Sequence, residues 1–339
     1  MRDPKLPSYV PCARFSSSTT AARPKQKGTL FVTNTRRSSK PRGANRGAWL
    51  ASYLMLAPAL LLFAVFMAYP LVNTVISSFY EYGLSSQTRV FIGLNNYLQL
   101  LRDPVFWVGL RNNLIVLVGS VVAQVGGGLI LAGVLNRGIS RRWSAVAQTV
   151  IFVPMVMSNV AVGLLWQFVF NPSIGILDSA LKLMGVAPPL LGWLGDPNLA
   201  IYSVLLVACW QYTGFMTVIL FAGMQSVPIE LYEAATLEGA SEPQLFFYVT
   251  IPVIRKVILA ATLITMIGAF KVFDLVYVLT AGGPANASEV LGTYLYKNAF
   301  TLDRMGYASA IAVVLLVLTL LLSLTQRRLE ATGQPRGAV

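Results

Sequence analysis

Long runs of apolar residues dominate the chain from residue 49 onward, and polar or charged residues fall mainly in the stretches between them. A helix needs about 20 predominantly apolar residues to cross the hydrocarbon core of a bilayer. The runs long enough to do so are Trp49–Phe79, Asn113–Leu135, Ala145–Phe170, Ala200–Met224, Val257–Leu279 and Tyr307–Leu324. This pattern predicts an all-α, polytopic membrane protein with six transmembrane helices.

Prolines lie within or at the ends of two of these runs. Pro58 and Pro70 belong to the first run and Pro154 to the third. A proline removes one helical hydrogen bond, and neighbouring helices or a water-lined cavity can satisfy the freed carbonyl inside a membrane protein. We expect the first span to kink at its prolines.

The passage between the fourth and fifth runs is the most strongly charged connection in the chain. It carries Glu230, Glu233, Glu238 and Glu242, four of the 13 acidic residues. A connection of this length is expected to contain secondary structure, and the positions of its Ser, Pro and Gly residues predict two short helices that meet at Gly239. Helix starts are predicted twice, at Ser226 with Pro228 and at Ser241 with Pro243, because a hydroxyl caps free amides and proline is tolerated in the first turn.

Composition supports a membrane protein, since 55% of the residues are hydrophobic and only 12% are charged. Residues 1–48 differ: they are basic, rich in Ser, Pro and Gly, and contain no acid after Asp3. We expect them to form a disordered cytoplasmic tail, because such a segment buries too little apolar surface to fold. Organellar transit peptides share this composition, and a translation start assigned too far upstream is another explanation. The predicted transmembrane domain is 49–328, followed by a short cytoplasmic tail, 329–339.

The distribution of the 26 Lys and Arg residues predicts the orientation in the membrane. The tail, the connection near Arg137 and the connection near Arg255 hold many more of them than the opposite side does. Basic residues concentrate in cytoplasmic loops. We therefore place both termini and the acidic passage in the cytoplasm, and the net charge of +13 reflects topology and tail. The basic tail lacks the interleaved aromatics or folded platform typical of nucleic-acid binding, so no nucleic-acid partner is predicted.

Several missing residue types narrow the classes of function. No lysine is followed by Ser or Thr, so the end of a phosphate-binding P-loop is missing and this chain should not hydrolyse ATP by that route. Histidine is absent, and neither Cys12 nor Cys209 has metal-ligand neighbours, so no metal site is predicted. An intramembrane enzyme would need a nucleophile or metal constellation that the sequence does not supply. An ion-coupled secondary transporter is one functional class that stays open for a polytopic membrane protein. Such a transporter would need inverted sequence repeats and an ion-binding cluster, and we find neither in the sequence.

Lys271 and Asp274 are the only ionisable residues expected in mid-membrane. Three positions apart on a helix, they would share a face and could neutralise each other, which lowers the cost of burying either charge. A second interpretation makes them part of a gate or of the polar lining of a substrate path.

The acidic passage carries a recognisable spacing. Glu233-Ala234-Ala235, three residues, Gly239, nine residues and then Val249-Thr250-Ile251-Pro252 resembles the EAA loop of ABC importer permeases, whose pattern ends in Ile, any residue, Leu, Pro. The resemblance implies the type I permease fold, and it implies that residues 228–252 form a coupling helix that docks in a separate ATPase subunit. The residues implied in this coupling are Glu233, Ala234, Ala235, Gly239 and Pro252. ATP and Mg would be used by that partner, and this chain would bind no cofactor.

Residues 269–284, ending in Gly282-Gly283-Pro284, look like the fifth-span signature of carbohydrate-importer permeases of the maltose and glycerol-3-phosphate type. The family resemblance implies a heterodimer with a sister permease, two ATPase subunits, and an extracytoplasmic binding protein that docks on loops 81–110, 171–199 and 280–305. It also implies that a small carbohydrate-type substrate passes between the permeases, along the fifth span. The residues expected along this path are Thr265, Ala269 and Val272, with Lys271 and Asp274. Aromatics such as Trp166, Trp210, Tyr212 and Tyr277 could stack on sugars or form the interfacial belt of the bilayer.

Overall fold

A computed structural model describes residues 46–85, 88–137 and 140–332. Of the predicted tails it describes 46–48, and 329–332, which are helical; the rest of both tails lies outside these ranges. Residues 46–59 belong to one unit and are helical, and the other described residues, from Leu60 onward, belong to a second. The predicted all-α class is confirmed, since helices make up nearly all of the regular structure. Within the described ranges, four helices are long and apolar enough to cross a membrane, and the number reaches the predicted six if each of two bent helix pairs counts as one span.

The first apolar stretch runs through α1 (Arg46–Phe63), a π-helical turn (Ala64–Ala68) and α2 (Tyr69–Ser77). Together they supply one candidate span, Tyr53–Ser77. The π-helical turn lies directly before Pro70, whose ring would clash with the carbonyl four residues earlier in a regular helix. The wider turn accommodates the proline and lets the helix continue.

The second span is longer than predicted, because it begins at Pro104. It consists of α4 (Pro104–Ser120), a π-helical turn (Val121–Gly126) and α5 (Gly127–Arg137), which follow a short helix, α3 (Asn95–Arg102). The carboxylate of Asp103 caps α4 by accepting a hydrogen bond from the amide of Val105 at 2.9 Å. A proline at the first helical position sacrifices no helical hydrogen bond, so the pair Asp103-Pro104 sets the start.

The third and fifth apolar runs are not single helices, which corrects the sequence prediction. In the third, α6 (Arg141–Val156) and α7 (Asn159–Val169) meet at a bend of 98°. Pro154 weakens the end of α6, and Met157 and Ser158 have extended backbone. Polar Ser158-Asn159 interrupts an otherwise apolar run, and hydropathy summed over the run does not register that interruption.

The fifth run divides into α13 (Arg255–Phe270) and α14 (Asp274–Thr280), with Lys271–Phe273 outside both helices. α13 is also bent by 73° from the preceding short helices. The fourth and sixth spans agree with prediction, as α9 (Ala200–Gln225) and α16 (Met305–Thr332).

The connections predicted to be external contain short helices and strands. Strands β1 (Tyr80–Glu81) and β2 (Val90–Phe91) pair antiparallel, with Tyr80 opposite Phe91. Between the third and fourth spans lies α8 (Ile176–Leu183). Between the fifth and sixth lie α15 (Leu291–Tyr296) and a π-helical turn (Lys297–Thr301).

This last connection is anchored by buried polar groups. Glu289 is fully buried, and Lys297 Nζ donates a hydrogen bond to its Oε2. Asn112 Nδ2 donates to the backbone carbonyls of Ala287 and Glu289, each at 2.8 Å. The segment predicted as an external loop is therefore packed into the protein along part of its length.

Three apolar clusters form the packed interior of the part of the chain that the structure describes. One surrounds Val204, Val276 and Val116, where the second, fourth and fifth spans meet. A second lies nearer the acidic passage, around Leu220 and Ile254, and a third joins α15 to α16 around Leu291 and Ile311. These clusters fix the spans around the two features described next.

Candidate functional site

The acidic passage folds as two arms that meet at Gly239, as predicted. The first arm is α10 (Ile229–Leu237); the second consists of α11 (Glu242–Gln244), a π-helical turn (Leu245–Thr250) and α12 (Ile251–Val253). We call residues 228–252 the coupling loop. Its predicted contact residues Glu233, Ala234, Gly239 and Pro252 are exposed and Ala235 is half-buried, so the structure presents most of this set to the surroundings.

Gly239 closes α10 with a left-handed residue at φ +85°. Its amide donates to the carbonyl of Thr236 at 3.0 Å, and the amide of Ala240 donates to the carbonyl of Ala235 at 3.0 Å. This pair of hydrogen bonds is the Schellman arrangement, in which glycine avoids the steric cost that a Cβ would add.

The two predicted helix starts have different outcomes. Ser241 and Gln244 form the predicted cap of the second arm, with Gln244 Oε1 accepting hydrogen bonds from the backbone amide and the hydroxyl of Ser241. Ser226 does not cap the first arm: its Oγ donates to the carbonyl of Gly223 and so closes the preceding helix, α9. Pro228 alone occupies the capping position of α10.

A central cavity of about 400 Å³ lies where the second to fifth spans meet. The five residues predicted for the substrate path all line this cavity: Thr265, Ala269, Lys271, Val272 and Asp274. Lys271 and Asp274 are exposed, whereas Thr265 and Ala269 are buried. The charged members of the set are therefore the more accessible ones.

Asn159 joins the two broken spans at this cavity. Its Nδ2 donates a hydrogen bond to Asp274 Oδ2 at 3.2 Å, and its Oδ1 accepts from Tyr212 Oη at 2.8 Å and from Gln211 Nε2 at 3.0 Å. Asn159 and Asp274 are each the first residue of the helix that follows a break. The break in the third span, the break in the fifth span and the fourth span thus share one polar cluster.

Lys271 and Asp274 do not share a helix face, and the ion pair considered from sequence does not form. Lys271 follows the last residue of α13 and Asp274 begins α14. Neither of the two ion pairs in the described part of the chain includes these residues. The break changes the direction of the backbone between them, so helical spacing does not apply.

Sequence reasoning missed several polar residues of the cavity wall, namely Asn159, Gln124 and Ser120. Each is a polar residue inside a long apolar run, and that was the available signal. Of the aromatics considered for sugar contact, Tyr212 lines the cavity, while Trp166 and Trp210 contact each other edge to face at 5.5 Å. Among residues 46–85, 88–137 and 140–332, no group of three Cys, Asp or Glu side chains is placed to hold a metal ion.

Comparison with known proteins identifies the architecture. The family described as binding-protein-dependent transport system inner membrane component matches residues 124–332. A probable ABC transporter permease, YurN of Bacillus subtilis, is 45% identical, covering 83% of this chain and 96% of its own length. The lactose transport system permease LacF of Rhizobium radiobacter is 34% identical, covering 87% of this chain and 97% of its own.

The crystal structure of a bacterial ABC transporter involved in import of the acidic polysaccharide alginate has a chain of the same fold. That chain superposes with a TM-score of 0.72 at 25% identity, over 83% of this chain and 96% of the other. The family match includes the coupling loop and the third, fourth and fifth spans, which line the central cavity. With its spans, its coupling loop and these relatives, the chain belongs to the family of binding-protein-dependent transport system inner membrane components, the permeases of ABC importers.

Proposed function

We propose that this permease pairs with a different, sister permease and passes a sugar, oligosaccharide or glycerophosphoryl compound through the space that includes the central cavity. An extracytoplasmic binding protein delivers the substrate, and two ATPase subunits supply the energy. Membership of the family makes the chain a permease rather than an enzyme. ATP and Mg are used by the ATPase partners.

The observation that carries the substrate class is the composition of the cavity wall at the two helix breaks. Asp274 and Lys271 offer an acceptor and an ammonium donor, and Tyr212 and Asn159 add a hydroxyl and an amide. Phe215 and Phe273 give aromatic surface beside them. A polyhydroxylated ligand matches such a mixture, because its hydroxyls hydrogen-bond and its C–H faces pack on rings. Relatives named for lactose, for trehalose and maltose, and for arabinooligosaccharides agree with this class.

The coupling loop supports the energy source. It presents Glu233, Ala234 and Gly239 on an exposed surface, and this end of the spans is the one that the distribution of basic residues predicts to be cytoplasmic. ATP-driven closure of the ATPase subunits moves the loop, and rigid-body rocking of the permeases turns the cavity from one side of the membrane to the other. Both termini lie in the cytoplasm in this arrangement.

The test uses the complete complex of both permeases, the ATPases and the binding protein, reconstituted in proteoliposomes. A panel of sugars and glycerophosphodiesters is screened for stimulation of ATP hydrolysis. We expect one compound to stimulate the wild type and Glu233→Lys to abolish the stimulation by weakening ATPase docking. Arg142→Glu is the matched control, because it also reverses the charge of an exposed residue but lies outside the coupling loop and outside the loops predicted to dock the binding protein. Uptake that proceeds without ATP would favour the secondary-transporter alternative and overturn the proposal.

A further inference from the structure

One uninterrupted helical segment, Pro104–Arg137, contacts the coupling loop at one end and the break in the fifth span at the other. We call this segment the second span. Its ends lie about 40–50 Å apart at 1.5 Å per residue. Its contacts at each end involve specific polar side chains, described in turn below.

At the coupling-loop end, Arg137 contacts both arms of the loop. Its Nη1 donates to Glu242 Oε2 of the second arm at 2.6 Å, and its guanidinium carbon lies 4.1 Å from the centre of the Tyr232 ring of the first arm. Tyr232 Oη is in turn 2.9 Å from Thr250 Oγ1, which links the two arms to each other.

A close backbone approach reinforces this attachment. A Cβ built on Gly133 would lie 2.7 Å from Cε2 of Phe246, a residue of the second arm. Glycine at this position therefore lets the Phe246 ring of the loop pack directly against the backbone of the helix. One residue before Arg137, Asn136 Oδ1 accepts a hydrogen bond from Gln225, the last residue of α9.

Towards the opposite end, Asn113 is fully buried and joins the last turn before the fifth-span break to α15. Its Nδ2 donates to the carbonyl of Ala269 in the last turn of α13 at 3.3 Å, and its Oδ1 accepts from the amide of Leu291 at 2.8 Å. Between the two ends, Val116, Ser120 and Gln124 of the same span form part of the cavity wall.

The Arg137 contacts are suited to position the loop more than to stabilise the fold. An ion pair with an exposed partner contributes little free energy, and Glu242 is 72% exposed. A planar guanidinium that stacks on one arm while pairing with the other fixes the direction in which the loop can move relative to the helix. A rigid helix then carries such a displacement to its far end.

We propose that Arg137 is a positioning residue for transport: it fastens both arms of the coupling loop to the second span, and this span delivers the loop's displacement to Asn113 and the fifth-span break. The proposal rests on the proposed function of the loop as the ATPase-docking element. The proposal adds the route by which a displacement of the coupling loop reaches the central cavity.

The test measures ATP hydrolysis and substrate uptake in the same reconstituted complexes, so that uptake per ATP is obtained. Arg137→Met keeps the aliphatic stem and removes the guanidinium. We expect it to assemble and to hydrolyse ATP on addition of binding protein and substrate, with uptake per ATP reduced by about fivefold. Arg137→Lys should recover part of the loss. Arg142→Met is the matched control, because Arg142 is exposed and belongs to neither ion pair of the described residues.

A double-mutant cycle tests the route itself. Asn113 and Arg137 lie about 36 Å apart along the helix, and substitutions at that separation normally have additive effects. If the second span transmits the displacement, Arg137→Met combined with Asn113→Ser, which keeps a small polar group, lowers uptake per ATP by less than the product of the single effects.

Three results would overturn the proposal while leaving the proposed function intact: Arg137→Met behaving like Arg142→Met, Arg137→Met losing ATP hydrolysis and uptake in equal proportion, or strict additivity with Asn113→Ser. Failure of the wild-type complex to hydrolyse ATP in response to any substrate would instead count against the proposed function.

Discussion

Asn159 and Asp274 each begin the second half of a broken span, and Asn159 Nδ2 donates a hydrogen bond to Asp274 Oδ2 at 3.2 Å. The two breaks therefore lie next to each other in the wall of the central cavity. Backbone outside a regular helix is tolerated at membrane depth where it lines a cavity. The bond between the breaks gives the cavity wall a defined polar geometry on that side.

Asp274→Ala should reduce the initial rate of uptake about tenfold, because a hydrogen bond to a charged group contributes about 1.5–3 kcal/mol and 1.4 kcal/mol corresponds to a factor of ten. Asp274→Asn keeps an acceptor oxygen and should lose less. Uptake into proteoliposomes is the measurement, with Arg142→Ala as the control, because Arg142 is exposed and lies outside the cavity wall and the loops predicted to dock the binding protein. Wild-type uptake by Asp274→Ala would show that the bridge between the breaks has no part in transport.

Lys271 is expected to act separately from Asp274. Since no ion pair joins them, Lys271→Met should change the apparent melting temperature in detergent by less than about 2 °C. In uptake assays the double variant Lys271→Met with Asp274→Asn should combine the two single effects. Recovery of activity in the double variant would reveal an ion pair that forms during the transport cycle.

The helix breaks within two apolar runs show which features the sequence alone does not predict. Hydropathy identifies Ala145–Phe170 and Val257–Leu279 as candidate membrane segments, because insertion of a segment into a bilayer depends on the apolar surface summed over its length. It does not locate the helix breaks at Ser158 and Val272, because a break depends on which tertiary partners satisfy the freed backbone groups. The coupling loop was better predicted, since glycine and capping residues act through local geometry. Asn113, whose partners lie far away in the sequence, had no such local signal.

Gly239→Ala should destabilise the folded conformation of the coupling loop by about 1 kcal/mol, because a Cβ is sterically unfavourable in a residue with left-handed backbone. No atom lies within 4 Å of that Cβ, so the cost is conformational and not a clash. Gly239→Asn should cost less, since asparagine tolerates this conformation. Gly268→Ala is the matched control, because its Cβ also meets open space and its backbone is helical. The amount of ATPase that co-purifies with the permease reports the result; equal retention by all three variants would contradict this prediction.

The ammonium group of Lys297 forms an ion pair with the buried carboxylate of Glu289 and so balances its negative charge. Lys297→Met should destabilise the protein by about 3 kcal/mol, because removing one partner leaves an uncompensated buried charge. Adding Glu289→Gln to this variant should restore much of the loss, since the remaining group is then neutral. Chemical denaturation in detergent measures the change, and Lys182→Met, an exposed lysine, serves as the control. A double variant no more stable than Lys297→Met would contradict this account.

Asp103 joins the start of the second span to the last connection and to α16. Its Oδ2 accepts hydrogen bonds from Tyr294 Oη and from Tyr307 Oη, the latter at 2.7 Å, and its Oδ1 accepts from the amide of Val105. Burial by itself would raise the pKa of Asp103. The hydrogen bonds from Tyr294, Tyr307 and the Val105 amide outweigh burial and hold that pKa below its ordinary value.

A carboxyl whose pKa is lower in the folded protein stabilises the fold fully above the unfolded pKa, about 3.9, and loses that contribution as the pH falls through the folded value. Asp103→Asn should therefore lower the apparent melting temperature at pH 7, and the difference from wild type should narrow once the pH falls below about 4. Tyr307→Phe should raise the pKa of Asp103 and move this narrowing to higher pH. Melting curves in detergent across this range, with Asp196→Asn as the control, test the relation. A difference between wild type and Asp103→Asn that stays constant as the pH falls would mean that the ionised carboxylate contributes nothing to the attachment of the second span to α16.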